Sequence, residues 1–221
     1  MIPKHVFVTG TDTEVGKTRI TTGLMAVLQQ QGLKAAGMKP VASGCDWVAG
    51  QWQNEDALAM IAQSNVSLPY SVVNPYAFEP AIAPHIAASR VNNEVSISEI
   101  KQQFEQIKSE ADAVVVEGAG GWLVPLNQTE TMADLAVALD LPVVLVVAIK
   151  LGCINHALLS IESIQQRGLR IAGWVANHLD AQHESAEIID TLKQHIAAPC
   201  LGVVPKLLEG QSAADFLCRE E

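Results

Sequence analysis

Six short apolar runs rich in valine and isoleucine punctuate the chain: His5 to Thr9, Leu33 to Lys39, Ala113 to Glu117, Pro142 to Ala148, Ile171 to Ala176 and Pro199 to Val203. Their apolarity is continuous rather than alternating. A strand with one wet face alternates apolar and polar positions, whereas a strand covered on both faces does not, so the runs predict a parallel sheet joined by helical crossovers. Segments of helical spacing fall between them at 17–31, 54–63, 97–110, 131–139, 155–167 and 183–195, the first closed by Gly32. The alternation of the two patterns predicts a doubly wound α/β fold, its mostly parallel sheet flanked by helices on both faces. From Ser67 to Pro84 the pattern breaks: Pro69, Pro75, Pro80 and Pro84 interrupt any period. That stretch predicts an irregular excursion of the kind that shapes a site.

A length of 221 residues suits one α/β domain spanning 1–221, and 49% hydrophobic with 17% charged residues is the balance of a chain that folds around a core. Twenty-four acidic against 14 basic residues give a net charge of −10, which argues against a surface that tracks nucleic-acid phosphates. The four cysteines, Cys45, Cys153, Cys200 and Cys218, form no C-x-x-C pair, so neither a zinc site nor a redox motif is signalled. The apolar run after Met1 is too short for a signal peptide, and no stretch approaches the roughly 20 apolar residues that cross a bilayer. The expected compartment is the cytoplasm, with neither nucleic acid nor membrane as partner.

The sharpest chemical signal is HVFVTGTDTEVGKTRITTGLMAVL, in which a strand runs into Gly10, then Thr11 to Val15, then Gly16-Lys17-Thr18 and an amphipathic helix. Loop amides and the positive end of a helix attract phosphates, a lysine supplies charge to the β- and γ-phosphates, and the Thr18 hydroxyl is placed to ligate Mg²⁺. The loop is one residue longer than the usual G-x-x-x-x-G-K-[ST] spacing. A phosphate loop of this kind makes the expected fold P-loop NTPase-like and implies a nucleotide, but it does not name a reaction.

Two acids bear on the metal. Glu117 ends the run DAVVVEGAGG, at the carboxyl edge of the sheet where ligands of such folds bind. Asn54-Glu55-Asp56 opens a predicted helix, where Asp56 serves equally well as an ordinary first-turn acid. Because Mg²⁺ keeps several waters and takes only one or two protein carboxylates beside phosphate oxygens, Thr18, Asp56 and Glu117 form a sensible metal set.

Seven segments occur together and in order: GTDTEVGKT, MKPVASG at 38–44, NPYAFEP at 74–80, APH at 83–85, VEGAGG at 116–121, KLGCINHALL at 150–159 and GWVAN at 173–177. This set, which covers nearly the whole chain, resembles the dethiobiotin synthetase family. The resemblance implies an ATP- and Mg²⁺-dependent cyclo-ligase of biotin synthesis that joins 7,8-diaminononanoate and CO₂ into a cyclic urea. A carbamate and a mixed carbamic–phosphoric anhydride are its intermediates, and ADP and phosphate are released. It implies that Lys17 and Lys39 stabilise charge on the transferred phosphoryl group and the carbamate, with Thr13 and Ser43 near the reacting end of the substrate. Read from the residues alone, Lys39 is an ordinary lysine after a strand and Ser43 an ordinary turn serine. The resemblance further assigns nucleotide contacts to Glu14, Val15, Gly16, Thr18 and Arg19, and to Gly118, Ala119 and Gly120. Adenine reading falls to Asn177, with His178 and Pro205-Lys206-Leu207 lining the same pocket. Leu151, Gly152, Cys153, Ile154 and Asn155 would hold the far carboxylate of the diamine, in a family that places this region across a homodimer interface. On sequence alone that segment is equally a capped helix start. Replacement of Lys39 by alanine is expected to slow phosphoryl transfer while sparing the fold.

Two stretches depart from the family pattern: residues 45–53, CDWVAGQWQ, and the short ending DFLCREE. The rival class is a ParA- or MinD-like P-loop ATPase switch. That class carries an extra lysine early in the loop, where this chain has Asp12, and a basic face or terminal amphipathic helix in place of the acidic CREE.

Overall fold

The computed structural model describes residues 2–180 and 186–218. The first half contains β1 (His5–Gly10), α1 (Lys17–Gln30), β2 (Ala35–Met38), β3 (Val41–Ser43), β4 (Asp46–Val48), β5 (Gln51–Gln53), α2 (Glu55–Gln63), α3 (Tyr70–Val73), β6 (Tyr76–Phe78), α4 (Pro84–Arg90) and α5 (Ile97–Glu110). The second contains β7 (Ala113–Gly121), α6 (Met132–Leu139), β8 (Val143–Ala148), α7 (Cys153–Gln166), β9 (Ile171–Asn177), α8 (Ala186–His195), β10 (Cys200–Val204) and a 3₁₀ turn at Ala213–Phe216. All six apolar runs of the sequence are strands of one sheet, ordered β10-β9-β8-β1-β7-β2 and parallel throughout.

The continuous apolarity has the expected cause. Along β8, Val143, Leu145 and Val147 point to one face, where α5 to α8 cover them, while Val144, Val146 and Ala148 face α1 and the 3₁₀ turn. Both faces are dry, so period-two polarity has no reason to appear. Strand β1 is central and the chain departs from it in both directions, to β7 and β2 on one side and to β8 and beyond on the other. The carboxyl ends of β1, β7 and β8 therefore meet at the switch point where α/β sheets bind ligands.

Two expectations need correction, and the two stretches that depart from the family pattern take definite form. Strand β7 does not stop at Glu117 but continues to Gly121, with Gly10 paired to Gly121 and Val8 to Glu117, so Glu117 is an interior strand residue. The stretch from Ser67 to Pro84 is not wholly irregular. It holds α3 and β6, and Pro84 is a first-turn proline of α4, where its missing N–H costs nothing. Residues 45–53 form an antiparallel hairpin in which Trp47 and Trp52 stack edge to face, centroids 5.1 Å apart. The tail, for its part, is tied down: Leu217 bridges Gly202 on edge strand β10, Cys218 N–H donates to Leu201 O at 2.6 Å, and Ala213 packs under Gly23 of α1. Of the helix predicted over 183–195, residues 183–185 lie outside the described residues, as do the last three of the acidic ending. Among the described residues no helix is long and apolar enough to cross a membrane, and Cys45, Cys153 and Cys218 stand outside any disulfide.

Candidate active site

The loop from Gly10 to Thr18 wraps the N-terminus of α1. Gly16, the N-cap, has φ +88°, and a Cβ placed there would lie 2.2 Å from Asn177 Nδ2, so both the backbone angle and the space demand glycine. The Asn177 amide is fully buried at the end of β9 and donates from Nδ2 to Val15 O at 2.8 Å, which clamps the loop from behind. Lys17 Nζ turns back to Asp12 O at 3.0 Å, and Asp12 in turn meets Lys150 Nζ at 3.7 Å.

Beyond the loop, Thr18, Lys39, Asp56 and Glu117 converge from α1, the end of β2, the first turn of α2 and β7. Thr18 Oγ1 lies 2.6 Å from Asp56 Oδ1 and 3.0 Å from Glu117 Oε1. Lys39 Nζ reaches Asp56 Oδ2 at 2.8 Å, Glu117 Oε1 at 2.7 Å and Gly118 O at 3.4 Å. Lys39 is 4% exposed and Glu117 0%, so a lysine read as an ordinary strand-end residue is in fact the counter-ion of a buried acid. Burial pulls the Lys39 pKa down, but Glu117 and Asp56 outweigh it and hold the ammonium above its ordinary value. Asp56 titrates low: burial opposes its charge, and Lys39 with the Thr18 hydroxyl more than compensates. Lys17 has weaker support. Burial, with Lys39 nearby, lowers its pKa to about 8.

These groups border a cleft of about 800 Å³ at the switch point. It gathers Thr13, Glu14, Gly16, Lys17, Thr18, Arg19, Lys39, Ser43, Asp56, Glu117, Ala119 and Gly120, all foreseen from the sequence. Gly120 has φ +63°, and a Cβ there would approach Val124 to 2.8 Å, so its backbone comes close to the cleft wall only because it is glycine. The Ser43 hydroxyl, Glu117 Oε2 and Asn177 Oδ1 are buried without a hydrogen-bond partner among the described residues. Such groups are costly unless something else satisfies them.

Other foreseen residues fall elsewhere. Val15 is a core side chain, 1% exposed, and only its backbone serves the loop. Asn177, His178 and Pro205 to Leu207 lie behind the loop at the ends of β9 and β10, with His178 N–H bonded to Val204 O at 2.9 Å. Leu151 to Asn155 do not border the cleft of their own chain. Leu151 is fully exposed, whereas the Cys153 side chain is buried in the core beneath α7 and its N–H is already bonded to Lys150 O at 3.1 Å, so Cys153 offers a ligand neither group. Sequence reasoning missed Asn54, the stretch 81–84, Val124 and Leu179 on the cleft wall. The APH segment carried a signal for the second of these, without a role attached. Val124 and Leu179 carried none.

A family model described as an AAA domain matches residues 4–213. The ATP-dependent dethiobiotin synthetase BioD of Pseudomonas aeruginosa is 51% identical over 210 residues, which is 94% of this chain and 92% of that protein. The enzyme of the same name from Cellvibrio japonicus is 52% identical over 208 residues, 94% of this chain and 91% of that one. The chain belongs to the dethiobiotin synthetase family. Among solved structures, the MinC:MinD cell division complex of Aquifex aeolicus superimposes with a TM-score of 0.58 at 16% identity, covering 93% of this chain and 82% of the other. At that identity the likeness shows the P-loop α/β fold alone. A dethiobiotin synthetase and a MinD-type protein thus share the scaffold and differ in the side chains grafted on it.

Proposed function

We propose that the chain catalyses the ATP-driven ring-closing carboxylation of 7,8-diaminononanoate with CO₂ to dethiobiotin, the activity that names its relatives. The observation that carries the reading is the convergence of two lysines, a hydroxyl and two carboxylates beside a phosphate-binding helix end, in a cleft large enough for a triphosphate and a small second substrate.

The reaction has three steps. One substrate amine adds to CO₂ and loses a proton, giving a carbamate. A carbamate oxygen then attacks the γ-phosphorus as the bond to ADP breaks, and the second amine attacks the carbonyl, loses a proton and expels phosphate. The protein's part is charge and position. Loop amides and Lys17 hold the β- and γ-phosphates, and triphosphate charge beside Lys17 restores the proton that burial weakens. Lys39, kept protonated by its carboxylates, faces the carbamate and the transferred group. Thr13 and the unpartnered Ser43 hydroxyl orient the reacting end of the diamine. Asn177 still has Oδ1 free to accept from an adenine amine.

Mg²⁺ fits the residues present. Thr18 Oγ1, Asp56 and the open Glu117 Oε2 supply oxygen donors on one side, and no group of three or more His, Cys, Asp or Glu stands among the described residues. That is the donor set of a hard ion held mainly by phosphates and water. When bound, the ion supplies neutralisation of triphosphate charge. Reading Leu151, Gly152, Ile154 and Asn155 as the carboxylate holder requires a second copy that brings this segment to the cleft, so the working form is a homodimer. Sedimentation at micromolar concentration is expected to give twice the chain mass. For the chemistry, purified protein with ATP, Mg²⁺ and bicarbonate should release ADP only when the diamine is added. ADP release indifferent to the diamine would remove the proposal.

A further inference from the structure

The NPYAFEP segment contains an asparagine whose position has no part in the chemistry above. Asn74 is 2% exposed and caps α3. Its Nδ2 donates to Lys39 O at 2.6 Å and Tyr76 O at 3.2 Å, while the Lys39 N–H donates to Val73 O at 2.9 Å. Both backbone polar groups of Lys39, the first residue past β2, are therefore held by α3 and its cap rather than by the sheet.

The other side of Asn74 leads to the metal carboxylate. Tyr70 Oη donates to Asn74 Oδ1 at 2.8 Å and accepts from the Asn54 N–H at 2.8 Å. Asn54 is the N-cap of α2, and its Oδ1 accepts from the N–H groups of Asp56 at 3.1 Å and Ala57 at 3.4 Å. Lys39 Nζ closes the circuit on Asp56 Oδ2 at 2.8 Å. The hydrogen bonds thus form a ring through Asp56, Asn54, Tyr70, Asn74 and Lys39. Every member is fixed on both sides, and the one contact that belongs to the active site, Lys39 to Asp56, is one link of that ring.

We infer that Tyr70 and Asn74 are positioning residues that set where the Lys39 ammonium and the Asp56 carboxylate stand relative to each other. The inference rests on the reading of Lys39 and Asp56 as phosphoryl-transfer machinery. Its physical content is preorganisation: groups that act by charge are effective only if they are held before the charge develops, and partners one step removed from an ion's ligands commonly change affinity or activity by about 10- to 100-fold.

Tyr70→Phe tests it, because the ring stays and only the hydroxyl link is cut. Tyr76→Phe is the control. Tyr76 lies in the same stretch of chain between Ser67 and Pro84 and its hydroxyl is equally engaged, with Glu99 at 2.7 Å and Ser96 N–H at 3.0 Å, but that network leads to α5 and away from the cleft. Two quantities are read for each protein: the Mg²⁺ concentration that half-saturates binding of a non-hydrolysable ATP analogue, and the kcat and KM for diamine-dependent ADP release. Tyr70→Phe is expected to raise the Mg²⁺ half-saturation and lower kcat by about tenfold, leaving the KM for ATP at saturating Mg²⁺ within about twofold. Tyr76→Phe, with comparable loss of thermal stability, is expected to stay within about twofold in both. Mg²⁺ half-saturation of Tyr70→Phe within that twofold band, or an equal shift in Tyr76→Phe, overturns the inference. If the unmodified protein itself shows no diamine-dependent turnover, the proposed reaction fails while the Mg²⁺ measurement still decides the ring.

Discussion

Lys39 Nζ stands 2.7 Å from Glu117 Oε1, inside the protein, where Glu117 has no exposed surface. A carboxylate in that position depends on its counter-ion, and removing one partner of a buried pair commonly costs about 3–5 kcal/mol. Lys39→Ala is therefore expected to lose turnover by about 100-fold or more and also to unfold at lower urea, contrary to the expectation from sequence that the fold would be spared. Pairing it with Glu117→Gln should recover part of the stability and none of the activity. Urea denaturation of the single and double variants measures the coupling.

Nucleotide binding should take up protons at alkaline pH. Burial and Lys39 lower Lys17 to about 8, so in the free protein its ammonium is lost as pH rises past 8, while an unfolded chain keeps it to 10.5. The sign for folding follows: this group disfavours the folded state below pH 8, and the penalty is relieved as pH rises from 8 towards 10.5. Triphosphate charge raises the pKa again. Calorimetry of ATP binding near pH 8.5 in buffers of different ionisation enthalpy should show net proton uptake, and the same titration near pH 6.5 should show none from Lys17.

Gly16→Ala adds a methyl where φ is +88° and where Asn177 Nδ2 lies 2.2 Å from the new carbon. The left-handed backbone costs an alanine about 1–2 kcal/mol, and Asn177 must release Val15 O to make room. Weaker ATP-analogue binding, by about tenfold or more, is expected with secondary structure by circular dichroism unchanged.

The tail is structural. Leu217 is buried against β10 and α1, so Leu217→Ala is expected to cost about 2–5 kcal/mol. A cost of that size lowers Tm by several degrees for a chain of this length. Turnover at a temperature well below Tm should be unchanged, which a thermal melt paired with an ADP-release assay checks.

The parallel sheet was legible because burial on both faces leaves a mark at every position of a strand. The phosphate loop was legible because its parts are contiguous from Gly10 to Thr18. What was hidden lacked one of these two properties. The Gly118 to Gly121 end of β7 carries no side chain beyond the Ala119 methyl to signal a strand, although its backbone pairs with β1. The three-residue strands β3 to β6 are too short to show a period. Prolines concealed α3 and α4, and Pro84 in fact begins a helix. Leu217 and Ala213 gain meaning only against α1 and β10, far away in the chain. Asn74 stood in a segment singled out by family resemblance and Tyr70 only in the proline-broken stretch before it, but their role depends on Lys39, 35 residues from Asn74, and on Asn54, 16 from Tyr70. No local pattern reports such partners.

The account depends on ATP and the diamine reacting in one cleft. ¹³C-bicarbonate supplied with ATP, Mg²⁺ and 7,8-diaminononanoate should place the label in the carbonyl of a cyclic urea, seen by mass and carbon NMR, with one ADP formed per labelled product. ADP formed with no labelled urea, or no ADP at all from folded protein that binds ATP, would contradict it.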